Sequence, residues 1–226
     1  MDTLNLSKSY DFFKPEEVNE RIHIIGCGSV GSTVAELLTR FGLTKLTLYD
    51  FDTVEPKNLA NQMHRQEHIG LLKVEALADM LCEINPEIGS ALKIEPEGFT
   101  WQRISGFVFL CVDNIELRRE IAVANKSNPY IKAMFDFRTR LTDAQHYAAD
   151  WSDIKTVDDF IHSMDFTHEE ASAETPVSAC NVTLSVAPTV RMISSLGVSN
   201  FVNFVKGDGL KKFIQIDAFG FLLDAL

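Results

Sequence analysis

Six residues, Gly26-Cys27-Gly28-Ser29-Val30-Gly31, narrow the folds open to this chain more than any other stretch. They follow a short apolar run ending at Ile25, which suits a strand buried on both faces of a parallel sheet. After the glycines, Val30, Val34, Leu37, Leu38 and Phe41 recur at helical spacing, and Gly42 suits a left-handed stop. Leu46–Tyr49 reads as a second strand, with Asp50 at its carboxyl end. In such a unit Gly26 makes the tight turn, Gly28 lets a phosphate approach the backbone, and Gly31 lets helix and strand pack closely. The helix start at Ser29 offers N–H groups and a positive dipole end to an anion. Asp50 stands 19 positions beyond Gly31, where a ribose-binding acid belongs.

The loop that follows departs from a dehydrogenase pattern. A nicotinamide enzyme needs one acid there and then an apolar crossover, yet here Asp52, Asn58, Asn61 and Gln62 crowd the same loop. Such groups suit a nucleotide whose phosphates carry the chemistry. His68–Ile84 is predicted to be one amphipathic helix, with Lys73 on its first turns as either a solvated lysine or a phosphate contact. Leu92–Glu95 and Gly106–Val112 are the next strands. Asp113 closes the latter at the edge where open parallel sheets bind ligands, and it could equally cap the helix Ile115–Asn125.

Tyr130–Phe137 is a fifth strand and Leu141–Ala148 a further one. A short helix is expected at Val157–Met164 and a longer one at Pro188–Val205, broken or eased at Gly197. Lys212–Leu223 closes the chain as a strand pair, or as one strand bent at Gly220. The fold expected is α/β: a Rossmann-like, mostly parallel sheet with helices on both faces and antiparallel strands in the C-terminal part. A single domain over 1–226 divides into an N-terminal arm (1–20), a nucleotide-binding core (21–137), a crossover or lid (138–179) and a C-terminal helix and strand (180–226).

The net charge of −11 disfavours nucleic acid and anionic membranes as partners. No basic leader with an apolar run opens the sequence and no run reaches membrane-spanning length, so a cytoplasmic location is expected. None of the four cysteines forms a CxxC pair, so no zinc is expected. Cys180 precedes a helical segment, where its thiol is either a nucleophile favoured by the helix dipole or a small packing residue.

Taken together, the motifs resemble the ThiF/MoeB/HesA superfamily of adenylyltransferases, akin to ubiquitin-activating enzymes, in a small bacterial or phage form without zinc cysteines. The segments that carry the resemblance are GCGSVGS at 26–32, LYDFDTVEPKNL at 48–59, HIGLLKVEAL at 68–77, EINPEI at 83–88 and FLCVDNIELR at 109–118. The resemblance implies ATP and Mg2+ as cofactors, and adenylation of a carboxylate, typically the C-terminus of a small ubiquitin-like or sulfur-carrier protein. It implies nucleotide contacts from Gly26, Gly28, Ser29, Gly31, Asp50, Asp52, Asn58, Gln62 and Lys73, and a metal contact from Asp113. It implies an acyl acceptor at Cys180 and a homodimer. One departure stands out. Where the family carries an arginine on the phosphates, in the pattern NLxRQ, this chain has Asn61; Arg65 or Lys8 of the arm is the candidate replacement. A NAD-dependent oxidoreductase and a non-catalytic ATP-binding relative are the competing readings.

Overall fold

The computed structural model describes residues 3–167, 169–170 and 184–226. Its spine is an eight-stranded sheet in the order β3-β2-β1-β4-β5-β6-β7-β8. The strands are β1 (Ile22–Ile25), β2 (Leu46–Tyr49), β3 (Lys93–Glu95), β4 (Gly106–Leu110), β5 (Ile131–Thr139), β6 (Asp143–Asp150), β7 (Phe213–Asp217) and β8 (Leu222–Ala225). β1 to β5 run parallel, and β6 to β8 add antiparallel ladders beyond β5. This is the α/β, Rossmann-like arrangement that the sequence predicts.

Every residue of β1, β2 and β4 is buried, so apolar runs rather than alternating ones form these strands. Helices cover both faces. α1 (Ser29–Arg40), α2 (Lys73–Ile84) and α5 (Ala187–Lys206) pack on one core with Ile24, Leu48, Phe109 and Phe135. α3 (Ile115–Ala124) and α4 (Ile154–His162) pack on the other with Ile25, Val108 and Met134.

Several boundaries differ from expectation for local reasons. The helix predicted from His68 starts only at Lys73. Residues 66–68 form a separate 3-10 turn, Gly70 takes φ +90°, and Leu72 is extended and bridges to Thr53. α3 is capped by Asn114, whose side chain accepts from Leu117 N–H at 2.8 Å, so Asp113 is not the cap. α5 runs unbroken through Gly197. A Cβ there would lie 2.2 Å from the Phe137 ring, so this glycine serves close packing rather than a bend. The closing segment is a strand pair, β7 and β8. The arm carries one 3-10 turn at Pro15–Glu17 and buries Phe13 edge-on to Phe41, which covers that corner of the core.

Candidate functional site

The site grows out of the carboxyl ends of β1, β2 and β4. Gly26 turns the chain at φ +97°, pressed so closely on Cys111 and Val112 that a Cβ would meet their backbone at 2.7 Å. A Cβ on Gly31 would lie 1.8 Å from the Gly26 carbonyl oxygen, so close helix–strand packing requires glycine there. Gly28 is different. A Cβ there would meet only the Gln62 amide, at 3.9 Å. Gly28 at the start of α1 has no side chain to cap it, and among the described residues no side-chain cap bond is made there, which leaves the first N–H groups of the helix facing that space. An anion fits that space.

Asp50 stands beside this loop. Its Oδ2 accepts from Cys27 N–H at 2.7 Å and its Oδ1 from Asp52 N–H at 2.9 Å. Burial pushes its carboxyl up, against the pull of those two N–H groups. The carboxylate keeps lone pairs for sugar hydroxyls. Asp52 is tied to the start of α2 twice: Lys73 N–H donates to its carbonyl at 2.9 Å, and Lys73 Nζ pairs with its Oδ2 at 2.6 Å. The Lys73 side chain is 9% exposed and Asp52 53%, so the buried ammonium has its counter-charge on the open side of the site.

The amide loop folds back over α1. Residues 56–60 form a 3-10 turn in which Asn58 Oδ1 accepts from Glu55 N–H at 2.9 Å and its carbonyl from Gln62 N–H at 2.9 Å. Met63 N–H donates to Ser32 Oγ at 3.2 Å, which lays this loop along the first turn of α1. Gln62 Oε1 is buried and, among the described residues, has no hydrogen-bond partner. Such an atom is costly to leave unpaired and marks where a ligand donor fits.

His64, not singled out from the sequence, is 5% exposed and faces the Cys27 carbonyl through Nε2 at 3.2 Å. That carbonyl only accepts, so Nε2 carries the proton and Nδ1 is a second buried acceptor with no partner. Burial holds the ring neutral, with its pKa down to about 4. In sequence it stands among polar neighbours, Gln62, Arg65 and Gln66, and nothing local marks it as buried; a polar residue inside the amide loop was the available signal.

Asp113 is exposed, just past β4. Arg118 fixes its loop: Nε donates to the Val112 carbonyl at 2.6 Å, and Nη1 reaches Asp136 Oδ1 at 2.8 Å and the Phe137 carbonyl at 2.6 Å. Among the described residues no cluster of three or more His, Cys, Asp or Glu forms a protein-only metal cage. A lone exposed carboxylate beside a phosphate site is the donor set that Mg2+ accepts, since it keeps waters and shares phosphate oxygens.

Arg65 does not join the cluster. Its guanidinium pairs with Glu83 at 2.5 Å and Glu67 at 3.7 Å, on the flank where residues 66–68 turn. Burial pushes the Cys27 and Cys111 thiols up, so neither is a nucleophile. Cys180 lies outside the described residues.

A model of the ThiF family matches residues 16–225. The chain is 34% identical to ubiquitin-like modifier-activating enzyme 5 of Caenorhabditis elegans over 134 residues, which are 50% of this chain and 31% of that protein. The Arabidopsis thaliana protein of that name is 45% identical over 67 residues, 30% of this chain and 16% of its own. The matched stretch thus spans a third or less of these two relatives. Among solved structures, E. coli MccB with ATP superposes with a TM-score of 0.70 at 16% identity, over 94% of this chain and 65% of that one. PaaA superposes with a TM-score of 0.67 at 17% identity, over 94% of this chain and 65% of its own. The likeness to these structures is one of fold; the family model, spanning both the glycine loop and the C-terminal strands, establishes that the chain belongs to the ThiF family.

Proposed function

We propose that this protein uses ATP to adenylate the terminal carboxylate of a small protein or peptide. The observation that carries the proposal is the single constellation at the head of α1: open glycine loop, Asp50 held by two backbone N–H groups, and Lys73 buried against Asp52. Family membership supports it, as do the names of the curated relatives, which activate ubiquitin-like modifiers. MccB, of similar fold, has been solved with ATP and with MccA. We take a ubiquitin-like or sulfur-carrier protein as the substrate class.

In the reaction, a carboxylate oxygen of the substrate attacks the α-phosphorus, the bond to the bridging oxygen breaks, and pyrophosphate leaves. No proton moves in that step, so the protein's tasks are positioning and charge neutralisation. The N–H groups of α1 hold phosphate oxygens. Asp50 orients the ribose. Lys73 is 2.6 Å from Asp52 and supplies a cation to the phosphates. Asp113 would hold Mg2+, which neutralises charge building on the phosphate oxygens. Gln62 Oε1 and His64 Nδ1 offer buried acceptors to ligand donors. Cys180, having lost its proton, would attack the acyl carbon of the adenylate through sulfur, breaking the bond to the phosphate oxygen, forming a thioester and releasing AMP. Free thiols at Cys27, Cys82 and Cys111 and the need for ATP suit the cytoplasm. A homodimer completes the reading.

Exchange of radiolabelled pyrophosphate into ATP, run against a panel of carrier proteins with the full chain, tests the reading. Carrier-dependent exchange is the expected result. Tight ATP binding with no exchange for any carrier would instead make this a non-catalytic nucleotide-binding protein. Mass spectrometry of the Cys180 peptide after the reaction reads the thioester.

A further inference from the structure

The missing arginine of the amide loop has a structural answer that lies far away in sequence. Asn61 occupies the position where a phosphate-binding guanidinium is expected, and Arg65 is engaged by Glu83 and Glu67. Arg191, on the second turn of α5, reaches the same loop from the other side. Its Nη1 lies 2.6 Å from the thioether sulfur of Met63, two residues beyond Asn61, across 128 positions of chain. α5 packs along α1, which brings this guanidinium to the flank of the helix whose first turn frames the glycine loop.

Two features make Arg191 unlike an ordinary surface arginine. Among the described residues, the guanidinium's hydrogen-bond partner is a thioether, a weak acceptor. Among the described residues, no carboxylate pairs with Arg191, in a chain carrying 32 acidic residues against 21 basic ones. Its position is also ordered along the cradle. Asp50, at the ribose end, is tied to Cys27, whereas Arg191 arrives through Met63 and Ser32, a turn further along α1. That sets it beside the loop on the first turn of α1, the turn whose N–H groups the nucleotide reading gives to the phosphates.

We propose that Arg191, reaching from α5 to the loop at residues 61–63, supplies the phosphate-binding guanidinium that the loop itself lacks. Its targets are the outer phosphates of ATP, and its planar fork binds two phosphate oxygens at once. This rests on the adenine-nucleotide reading above. It replaces Arg65 in that reading.

The test is calorimetric titration of the full chain with ATP and, separately, with AMP, both with Mg2+. Arg191→Ala is expected to weaken ATP about tenfold or more, the loss of one charge-assisted contact, and AMP less than about twofold. Arg191→Lys should fall between, because it keeps the charge and loses the fork. Asn61→Arg placed in the Arg191→Ala background should recover most of the ATP affinity, a rescue that a merely structural role for Arg191 would not show. Arg191 is exposed on a helix, so the alanine variant should melt with the wild type. Unchanged ATP affinity in Arg191→Ala, or an equal loss of ATP and AMP, overturns the proposal while the nucleotide reading stands. Failure of the wild-type chain to bind either nucleotide removes both together.

Discussion

The carboxyl ends of β1 and β2 and the joint between β5, β6 and α4 both gather charged side chains, and they treat them in opposite ways. In the joint, everything is closed. Asp136 is fully buried between Arg118 and Arg138, with ion pairs of 2.8 and 2.7 Å. Arg138 spends its remaining donors on the carbonyl and hydroxyl of Ser163 and lies 4.0 Å over the Tyr147 ring. Burial alone would raise the Asp136 carboxyl, and the two guanidiniums outweigh it and hold it below its ordinary value. In the cradle, polar groups are left open: among the described residues Gln62 Oε1 and His64 Nδ1 have no partner, and Arg191 leans on a thioether. A saturated cluster fixes the fold. An unsaturated one holds room for a ligand, and the cost of leaving it open is what binding recovers.

The largest effect expected is one that both regions share. His64 in the cradle, His146 beside the joint and His23 on β1 are all buried, and burial lowers each pKa to about 4. The unfolded chain takes up these protons near pH 6.5 and the folded chain does not, so stability is lost as pH falls through the window from 6.5 to 4. Three such groups lose about 4 kcal/mol per pH unit, at about 1.4 each. Acid unfolding above pH 4, followed by circular dichroism, is the expected outcome. His64→Leu should flatten that limb by about a third; a limb that starts only below pH 4 would mean the rings are not buried neutral.

Next in size is the joint itself. Asp136→Asn leaves two guanidiniums in the interior without their charge partner, and should cost about 3–5 kcal/mol in a denaturant melt. Because Arg118 also holds the Val112 carbonyl, the same variant should loosen the loop that carries Asp113. A loss below about 1 kcal/mol would show that water already reaches the joint, and the contrast between closed and open clusters would fail.

How far sequence reaches follows the same division. Most of the cradle's backbone is local: the glycines, Asp50 and the ends of β1 and β2 lie within 30 residues, and their spacing is enough to predict the turn and the acid. The start of α2 was misjudged because Ile69 and Leu72 continue an amphipathic pattern across Gly70, whose positive φ ends it. Asn114 took the cap because its carbonyl reaches Leu117 N–H, a choice between neighbours that spacing alone does not make. Arg191 and the joint were illegible, since their partners come from distant segments. Nor does helical spacing reveal that Arg65, one turn beyond Asn61, pairs with Glu83 and Glu67.

Two glycines sharpen the comparison by a smaller amount. Gly197→Ala would drive a Cβ into the Phe137 ring, 2.2 Å away, and should cost about 1–3 kcal/mol by overpacking. Gly28→Ala meets nothing closer than 3.9 Å and should cost about 1 kcal/mol or less as an N-cap change. Its effect belongs to the ligand: the added methyl fills the space where a phosphate would approach. Thermal melts and ATP titration of the two variants should therefore rank them in opposite orders.

The smallest effect on the fold is expected at Asp113. It is exposed, Asn114 already caps α3, and the loop is held by Arg118 through the Val112 carbonyl rather than by the Asp113 side chain. Asp113→Ala should therefore stay within about 0.5 kcal/mol of the wild type. Pyrophosphate exchange at saturating Mg2+ should nonetheless fall by about two orders of magnitude, as when one preorganised charge contact is removed from a phosphoryl site. Exchange that survived Asp113→Ala at the wild-type level would remove this residue from the metal and leave Lys73 and Arg191 as the side chains proposed to act on the phosphates. A melt shifted by several degrees would instead put Asp113 with the closed cluster, as a structural group rather than an open one.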